Sequence, residues 1–305
     1  MRLVFLGNDP RSVPPLRALA GSSHDVALVI TRVPRPAGRG GRLRPTAVAE
    51  AARELELPLR EVETVKRGEG LDALREARPE VLVVVAYGEI LPPEVLDVAY
   101  PVNVHFSLLP ALRGADPVRR ALLEGHAESG VTIMRMDEGM DTGPILLQRA
   151  DPIHDEDDAG SVGLRLAEVG GALLVEALDR RAAGDLPERP QGEGATSAPK
   201  LSADDEWIDW TEDAGAVWRR VRALAPDPGA KTRFRGKLLK VLAVEPAQGA
   251  GEPGEIVEVS NDGFSIAAGE GTVAVRAVVP EGRKRLTAAE FIRGYRPEPG
   301  QRLGE

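Results

Sequence analysis

Two polar side chains stand two residues apart in an apolar segment, at Asn103 and His105. Alternate residues of a strand point to the same face, so this spacing aims a carboxamide and an imidazole into one site. The sequence SLLP, residues 107–110, then ends the strand, because proline cannot donate to a sheet ladder and disfavours helix at the residue before it. The pattern predicts a polar pair at a strand end, beside a loop.

A second polar loop, MDEGMDTGP at residues 136–144, lies between apolar runs and carries Asp137, Glu138 and Asp141. A carboxamide can stabilise a developing oxyanion, and an imidazole with a carboxylate can move protons. Together with the asparagine and histidine, this loop predicts an acid–base site. Each residue alone has an ordinary alternative, as a turn, capping or packing group.

The elements around these loops indicate an α/β fold. Strand, helix and strand patterns follow one another at 2–6, 13–19 and 25–31, as at the start of a doubly wound parallel sheet. The first turn, GNDPRS, lacks the glycine fingerprint of dinucleotide sites, so we predict no NAD and a nicotinamide oxidoreductase is a weak alternative.

The run EVLVVVAYGEILP, residues 80–92, is typical of a central strand buried on both faces. Ligands of open α/β sheets bind outside the carboxyl ends of the strands. We therefore expect Tyr87, the residues after His105 and the loop of Asp141 to meet at that edge.

The later part of the chain changes character. A helix is predicted from about 161 to 183, and Gly, Pro, Ser and acidic residues dominate 184–205, which is typical of a linker. Short strands with glycine-rich turns follow, and they predict a small antiparallel barrel or sandwich. A chain of 305 residues accommodates two such domains.

Composition excludes several classes of function. The chain has no cysteine, which rules out disulfides and thiolate chemistry and suits a reducing cytoplasm. No apolar run approaches the ~20 residues that span a bilayer, and His24, His126 and His154 lack metal-ligand spacing. A net charge of −9 disfavours non-specific binding of nucleic acid over the whole surface.

One basic segment stands out against this acidic background. Residues 31–45, TRVPRPAGRGGRLRP, hold five arginines and no acidic residue. Their glycines and prolines predict neither helix nor strand. The segment is either a solvated flexible loop or a basic arm that contacts phosphates.

The two polar motifs, NVHFSLLPALRGADP and MDEGMDTGPIL, resemble those of the folate-dependent formyltransferases. The resemblance extends over nearly the whole chain through MRLVFLG, RPAGRG, VAYGEILP, GVTIM and KLS…IDW. The RPAGRG loop and the second domain narrow it to the branch of the family that acts on a transfer RNA. The turn GNDPRS and the segment ADPVRR depart from the usual family pattern.

The resemblance implies a Rossmann-like, mostly parallel sheet domain followed by a small OB-like antiparallel β-barrel. We place the catalytic domain at 1–188, the linker at 189–205 and the tRNA-binding barrel at 206–305. The implied reaction moves the formyl group of 10-formyltetrahydrofolate to the α-amine of methionyl initiator tRNA, for translation initiation. The implied protein is a cytoplasmic monomer without metal, NAD or membrane contact.

The resemblance also assigns residues. Its catalytic positions fall on Asn103, His105 and Asp141. The folate-binding positions fall on Tyr87, Gly88, Ser107, Leu108, Leu109, Pro110 and Asp137. The arginine loop and the basic strands of the second domain imply tRNA contacts at Arg39, Arg42, Arg44, Lys231, Arg233, Arg235 and Lys237.

Two alternatives stay open from the residues. A formyltransferase of the same group could act on a small amine, such as a glycinamide ribonucleotide or an amino sugar, although such a substrate needs neither the arginine loop nor a second domain. A folate- or RNA-binding module without catalysis would tolerate loss of the Asp141 carboxylate.

Overall fold

The computed structural model describes residues 1–37 and 41–304, which divide into two compact units. The first comprises Met1–Pro117, Glu128–Pro152 and Gly163–Pro199. The second comprises Val118–Ala127, Ile153–Val162 and the chain from Lys200 onward. The linker at 189–205 and the domain limits stay predictions.

Most strands of the first unit's described residues belong to one sheet. The strands are β1 (Arg2–Gly7), β2 (Asp25–Arg32), β3 (Arg35–Ala37), β4 (Arg42–Arg44), β5 (Leu59–Val62), β6 (Val81–Val85), β7 (Tyr100–His105), β8 (Glu128–Arg135) and β9 (Ile145–Pro152). The sheet has the order β5-β2-β1-β6-β7-β8-β9, and β3 pairs with β4 in a separate ribbon.

The helices of the described chain begin after a 3₁₀ turn at Pro10–Ser12. They are α1 (Val13–Ala20), α2 (Ala47–Glu54), α3 (Glu69–Glu76), α4 (Pro93–Leu96), α5 (Pro117–Leu123), α6 (Ala159–Ala183), α7 (Ala214–Leu224) and α8 (Ala288–Tyr295). Local chemistry marks several starts, as at α2, where the Thr46 hydroxyl accepts from the Ala49 amide at 3.0 Å. No helix in the described ranges is long and apolar enough to cross a membrane.

The centre of the first sheet is parallel and fully apolar, as its sequence predicts. Strand β6 is buried along its whole length, and β1 lies beside it with five of its six residues buried. The pairs β5-β2, β2-β1, β1-β6 and β6-β7 are all parallel. The predicted α/β fold class with a mostly parallel sheet is confirmed.

Strand β8 reverses this direction, and β9, antiparallel to β8, runs the same way as β7 again. Strand β8 is antiparallel to β7, with Thr132 opposite His105 and Arg135 opposite Val102. The loop 136–144 therefore leaves β8 beside the beginning of β7, not beside its carboxyl end. The loop nevertheless reaches the end of β7, as expected, because the Asp141 Oδ2 atom lies 3.7 Å from Nδ1 of His105, the last residue of that strand.

The basic segment contains a short hairpin where the sequence predicts no strand. Arg35 pairs with Arg44 and Ala37 with Arg42, in antiparallel register. Mutual pairing satisfies the backbone groups along the shared edge of the two strands, which the glycine and proline content of the segment does not reveal. Arg39 lies outside the described residues.

The second unit is an antiparallel sheet, as predicted. Its strands are β10 (Ala230–Phe234), β11 (Lys237–Ala247), β12 (Ile256–Val259), β13 (Phe264–Ala267), β14 (Thr272–Pro280) and β15 (Leu286–Thr287). Their order is β10-β11-β14-β13-β12, with β15 on β14. The buried ring of Phe291 stacks on Phe264 with a centroid distance of 5.5 Å.

The end of the chain joins the two outer strands of this sheet. The Ile256 amide at the start of β12 donates to the Gln301 carbonyl at 2.8 Å, and the Gly304 amide donates to the Arg233 carbonyl of β10 at 2.9 Å. Residues 301–304 thus cover edges that would otherwise present unpaired backbone groups.

Candidate active site

Asn103 and His105 lie on one face of β7, with Val102 and Val104 on the other. Asn103 pairs in register with Val84 of β6 and Met134 of β8, so its backbone is fixed inside the sheet. Its carboxamide is partly buried and forms no hydrogen bond with any other residue that the structure describes. Among residues 1–37 and 41–304, nothing competes with a ligand for its two amide hydrogens.

The imidazole of His105 is hydrogen-bonded on one side and faces a carboxylate on the other. The residue is 5% exposed, and its Nε2 lies 3.0 Å from the carbonyl oxygen of Leu112. A carbonyl only accepts, so Nε2 carries a proton and donates it. The Nδ1 atom faces the Asp141 Oδ2 atom at 3.7 Å, which is longer than a hydrogen bond. The Nδ1 edge is therefore the edge that can serve a substrate.

Asp141 is fixed in an uncommon backbone conformation. Its φ of 55° lies in the left-handed region, and its Oδ2 atom accepts from the Gly114 amide at 2.8 Å. Two residues later Gly143 passes so close to β8 that a Cβ there would lie 1.9 Å from the Arg135 carbonyl oxygen. The predicted loop therefore does bring a carboxylate to His105, and it needs glycine at residue 143 to do so.

Asp137 organises the same loop from its start. Its Oδ1 atom accepts from the Thr142 hydroxyl at 2.7 Å and from the Gly139 amide at 3.1 Å. Met140, between them, is 60% exposed. The loop thus has polar bonds inside and an apolar side chain toward solvent.

The segment SLLP is anchored to β8 and β9. The Thr132 hydroxyl donates to the Ser107 carbonyl at 2.7 Å and accepts from the Leu109 amide at 3.1 Å. The Leu109 carbonyl accepts from Gln148 Nε2 at 2.8 Å, and the Leu109 side chain is buried. A Cβ on Gly130 would lie 2.5 Å from Leu108 Cδ2, and Pro110 is partly buried. This network fixes the loop that follows His105.

Tyr87 and Gly88 continue directly from β6. The Tyr87 ring packs in the core with its hydroxyl buried, and burial raises the pKa of that hydroxyl. The Tyr87 carbonyl accepts from Asn8 Nδ2, and the Gly88 carbonyl accepts from Arg32 Nη2 at 3.1 Å. Ile90, farther along, is 71% exposed. The backbone of this loop, not the tyrosine ring, is what a ligand can reach.

The comparisons with known proteins cover the whole chain. Residues 1–178 match the family model described as formyl transferase, and residues 200–296 match the formyl transferase C-terminal domain. The methionyl-tRNA formyltransferase of Geobacter sulfurreducens is 41% identical over 100% of this chain and 97% of its own length. That of Thermus thermophilus is 43% identical over 100% of both chains. The chain belongs to the methionyl-tRNA formyltransferase family.

A solved structure supports the fold of this formyltransferase. HypX from Aquifex aeolicus in complex with tetrahydrofolic acid aligns with a TM-score of 0.67 at 22% identity, over 96% of this chain and 48% of that chain. At this identity the alignment bears on the fold alone.

The basic residues predicted to contact tRNA differ in whether other residues of the formyltransferase already bind them. Arg42 and Arg44 are exposed on β4. Lys231 pairs with Glu206, and Arg235 donates three hydrogen bonds of 3.0 Å to Tyr295, Arg296 and Gln301. The guanidinium of Arg233 lies 5.4 Å from the centroid of the Trp207 ring, and Lys237 is exposed. Arg42, Arg44, Arg233 and Lys237 thus present charge, while Lys231 and Arg235 are used within the second unit.

Several residues of the site were not found from the sequence. They hold the loops around the three polar side chains through hydrogen bonds, and only Leu112 and Gly114 bond to one of those side chains directly. The set comprises Asn8, Leu112, Arg113, Gly114, Thr132, Gln148 and Gln191. Their partners lie up to 84 positions away, as for the Leu112 amide and the Thr196 hydroxyl, so no local pattern marks them. No group of three metal-ligating side chains occurs within residues 1–37 and 41–304.

Proposed function

We propose that this protein transfers the formyl group of 10-formyltetrahydrofolate to the free α-amine of methionine esterified to initiator tRNA. The observation that carries the proposal is the meeting of Asn103, His105 and Asp141 on one face of β7, in a chain that aligns end to end with methionyl-tRNA formyltransferases. We also propose that the protein acts in the cytoplasm, where translation starts.

The attack of an amine on a formyl carbonyl places negative charge on the formyl oxygen. The Asn103 carboxamide suits this charge because it is free, partly buried and held by the sheet on both sides. It donates without titrating, so its contribution does not depend on pH. We assign it the oxyanion contact.

The proton that leaves the amine must reach N10 of the folate as the old carbon–nitrogen bond breaks. Asp141 and the Nδ1 edge of His105 face each other across 3.7 Å, with the proton on Nε2 bound to Leu112. In our proposal the carboxylate takes the amine proton, through a water, and the imidazolium Nδ1 gives a proton to N10. Catalytic hydrogen bonds are often long before substrate binds and shorten in the complex. We therefore expect the Asp141 carboxylate and the His105 imidazole to come closer when substrate is bound.

The loops around this face of β7 are suited to bind the formyl donor. The loop after β6 and the loop 136–144 offer backbone groups together with Ile90 and Met140, which are 71% and 60% exposed. Such apolar side chains on polar loops match a pteridine ring, which needs both hydrogen bonds and apolar cover. We propose that Ser107–Pro110, Gly88 and Asp137 line the same folate site. The tetrahydrofolic acid in the HypX structure supports a folate for this fold.

The exposed arginine and lysine side chains are suited to bind the phosphates of a tRNA. The hairpin β3–β4 presents Arg42 and Arg44, and the second unit presents Arg233 and Lys237. Arginine and lysine contact phosphates independently of sequence, and a hairpin can follow the shape of an RNA end. We propose these four residues, together with Arg39, as the tRNA contacts.

The test is a formylation assay. The protein is incubated with 10-formyltetrahydrofolate and methionyl initiator tRNA, and the amino acid is released and identified. We expect formylmethionine, and none with deacylated tRNA. The absence of product from the charged tRNA would refute the proposal, and product from free methionine at an equal rate would refute the role of the tRNA.

A further inference from the structure

The side chain of Gln191 uses its whole hydrogen-bonding capacity. Its Oε1 atom accepts from Arg113 Nε at 3.0 Å and from Arg113 Nη2 at 2.7 Å. Its Nε2 atom donates to the Asp141 carbonyl at 2.7 Å and to the Gly143 carbonyl at 2.8 Å. Because guanidinium only donates and carbonyls only accept, the orientation of the amide is fixed.

These four bonds join two loops that both meet His105. One is the loop of Asp141, whose carboxylate faces Nδ1, and the other carries Leu112, whose carbonyl accepts from Nε2. Leu112 has a φ of 59° and Asp141 a φ of 55°. A residue other than glycine in this region is strained and persists only where its surroundings hold it.

Residues that follow Gln191 in the chain, Thr196 and Ala198, contact the loop of Leu112 directly. The Thr196 hydroxyl accepts from the Leu112 amide at 2.9 Å, and the Arg113 amide donates to the Thr196 carbonyl at 2.8 Å. The Ala198 carbonyl approaches so closely that a Cβ on Gly114 would lie 2.6 Å from its oxygen. We call residues 191–198 the strap. Its backbone and the Thr196 hydroxyl hold the loop of Leu112, and the side chain of Gln191 connects the strap to the loop of Asp141.

We propose that Gln191 is a positioning residue for formyl transfer, which sets the place of the Asp141 carboxylate relative to the His105 imidazole. The inference rests on the proposed function and on the roles of those two side chains. The hydrogen bonds of Gln191 reach the backbone of Asp141 and Gly143 rather than the reacting side chains. It acts through the backbone of the loop and through Arg113.

The variant Gln191→Glu separates the two halves of this contact. It has the same shape and keeps an acceptor toward Arg113, but it replaces the donating nitrogen with an oxygen that faces two carbonyls. The loop of Asp141 is then pushed from its place. Misplacement of a reacting group by about 1 Å can lower a rate by about 100-fold, so we expect kcat to fall by about 10- to 100-fold while KM for both substrates stays within about two-fold.

The matched control is Glu193→Gln, the reverse exchange at an exposed residue of the same strap. It should leave kcat, KM and stability unchanged. A second variant, Arg113→Lys, keeps a charge but loses the bidentate contact, and it should lower kcat in the same direction by a smaller factor. Thermal melts of all variants establish that they fold.

Selective labelling of the histidine rings adds a readout that needs no turnover, because the chain has only four histidines. The chemical shift of the His105 ring, assigned by its loss in His105→Asn, should change in Gln191→Glu and stay the same in Glu193→Gln. A wild-type protein that forms no formylmethionine refutes the proposed function, whereas the ring shift still tests the positioning. An unchanged shift with wild-type kcat in Gln191→Glu, or an equal loss of kcat in Glu193→Gln, would overturn the inference.

Discussion

The chemistry of this site depends on which atoms of Asn103 and His105 are left without a partner in the described chain. The Asn103 amide has no partner within the described chain, while the Nε2 of His105 is already bound to Leu112. The spacing of Asn103 and His105 was enough to predict that they share a face. The bond to Leu112 was not predictable, because it depends on a left-handed backbone seven residues away.

The variant Asn103→Asp tests the oxyanion contact. It keeps the shape but replaces a donor with an acceptor and adds negative charge where negative charge develops. Loss of one such donor lowers kcat by about 10²- to 10³-fold. Steady-state kinetics should show this loss with a small change in KM for the folate. Asn261→Asp, at an exposed turn of the second unit, is the control, and an equal kcat for Asn103→Asp would contradict the assignment.

His24 ties folding stability to pH, away from the active site. Its buried ring lies 3.3 Å from the Met1 ammonium and 3.3 Å from Asp179. Burial lowers the pKa of His24, the Met1 charge lowers it further, and Asp179 and a backbone bond to Val175 oppose them. The unfolded chain therefore binds a proton near pH ~6.5 that the folded chain takes up only at lower pH, so stability falls as pH drops through that window.

The measurement for His24 is the melting temperature at about pH 7.5 and about pH 5.5. The wild type should lose more stability on acidification than His24→Gln. His126→Gln, at a more exposed residue paired with Glu124, should behave as the wild type. Equal losses in the wild type and His24→Gln would exclude the linkage.

At the scale of elements, the parallel core was predictable and the returning loop was not. A central strand such as β6 can be recognised by its composition, since a strand that is covered on both faces is apolar throughout. The direction of β8 depends on which strand it pairs with, and the sequence of β8 does not indicate that strand. The same holds for the strap, whose glycine- and proline-rich neighbourhood resembled a plain linker.

The variant Gly143→Ala tests the passage of the loop 136–144 beside β8. An added Cβ would meet the Arg135 carbonyl at 1.9 Å, so the loop must shift. We expect a loss of about 1–3 kcal/mol in the free energy of unfolding, together with a loss of formylation. Gly192→Ala is the control because nothing lies within 4 Å of its Cβ. Equal stability and activity in both variants would exclude the close approach.

The hairpin β3–β4 is tested by the salt dependence of tRNA binding. The double variant Arg42→Gln/Arg44→Gln removes two exposed charges, and the slope of log K against log salt should become shallower by about 0.7–0.9 per lost phosphate contact. Arg75→Gln/Arg78→Gln changes the same charge at exposed residues on and after α3 and should keep the slope. A slope unchanged by the hairpin variant would remove the hairpin from the interface.

For the whole molecule, the class of the fold and the family followed from the sequence, and the comparisons confirm both. The three polar residues were predicted because their motifs are local and their types suit one reaction. The supporting residues were hidden because Gln191 meets Arg113 and Asp141 across 78 and 50 positions of chain. Local motifs predict which groups react, and only tertiary contacts reveal what holds them in place.

In the proposed function, Asn103 and His105 on β7 and Asp141 on the loop 136–144 together perform formyl transfer to methionyl initiator tRNA. The single-turnover rate of Asp141→Asn, measured alongside binding of a tetrahydrofolate, tests this claim, because the exchange replaces one carboxylate oxygen by an amide nitrogen. We predict folate binding close to that of the wild type and a transfer rate lower by about 100-fold or more. A rate near that of the wild type, with folate bound, would contradict the claim.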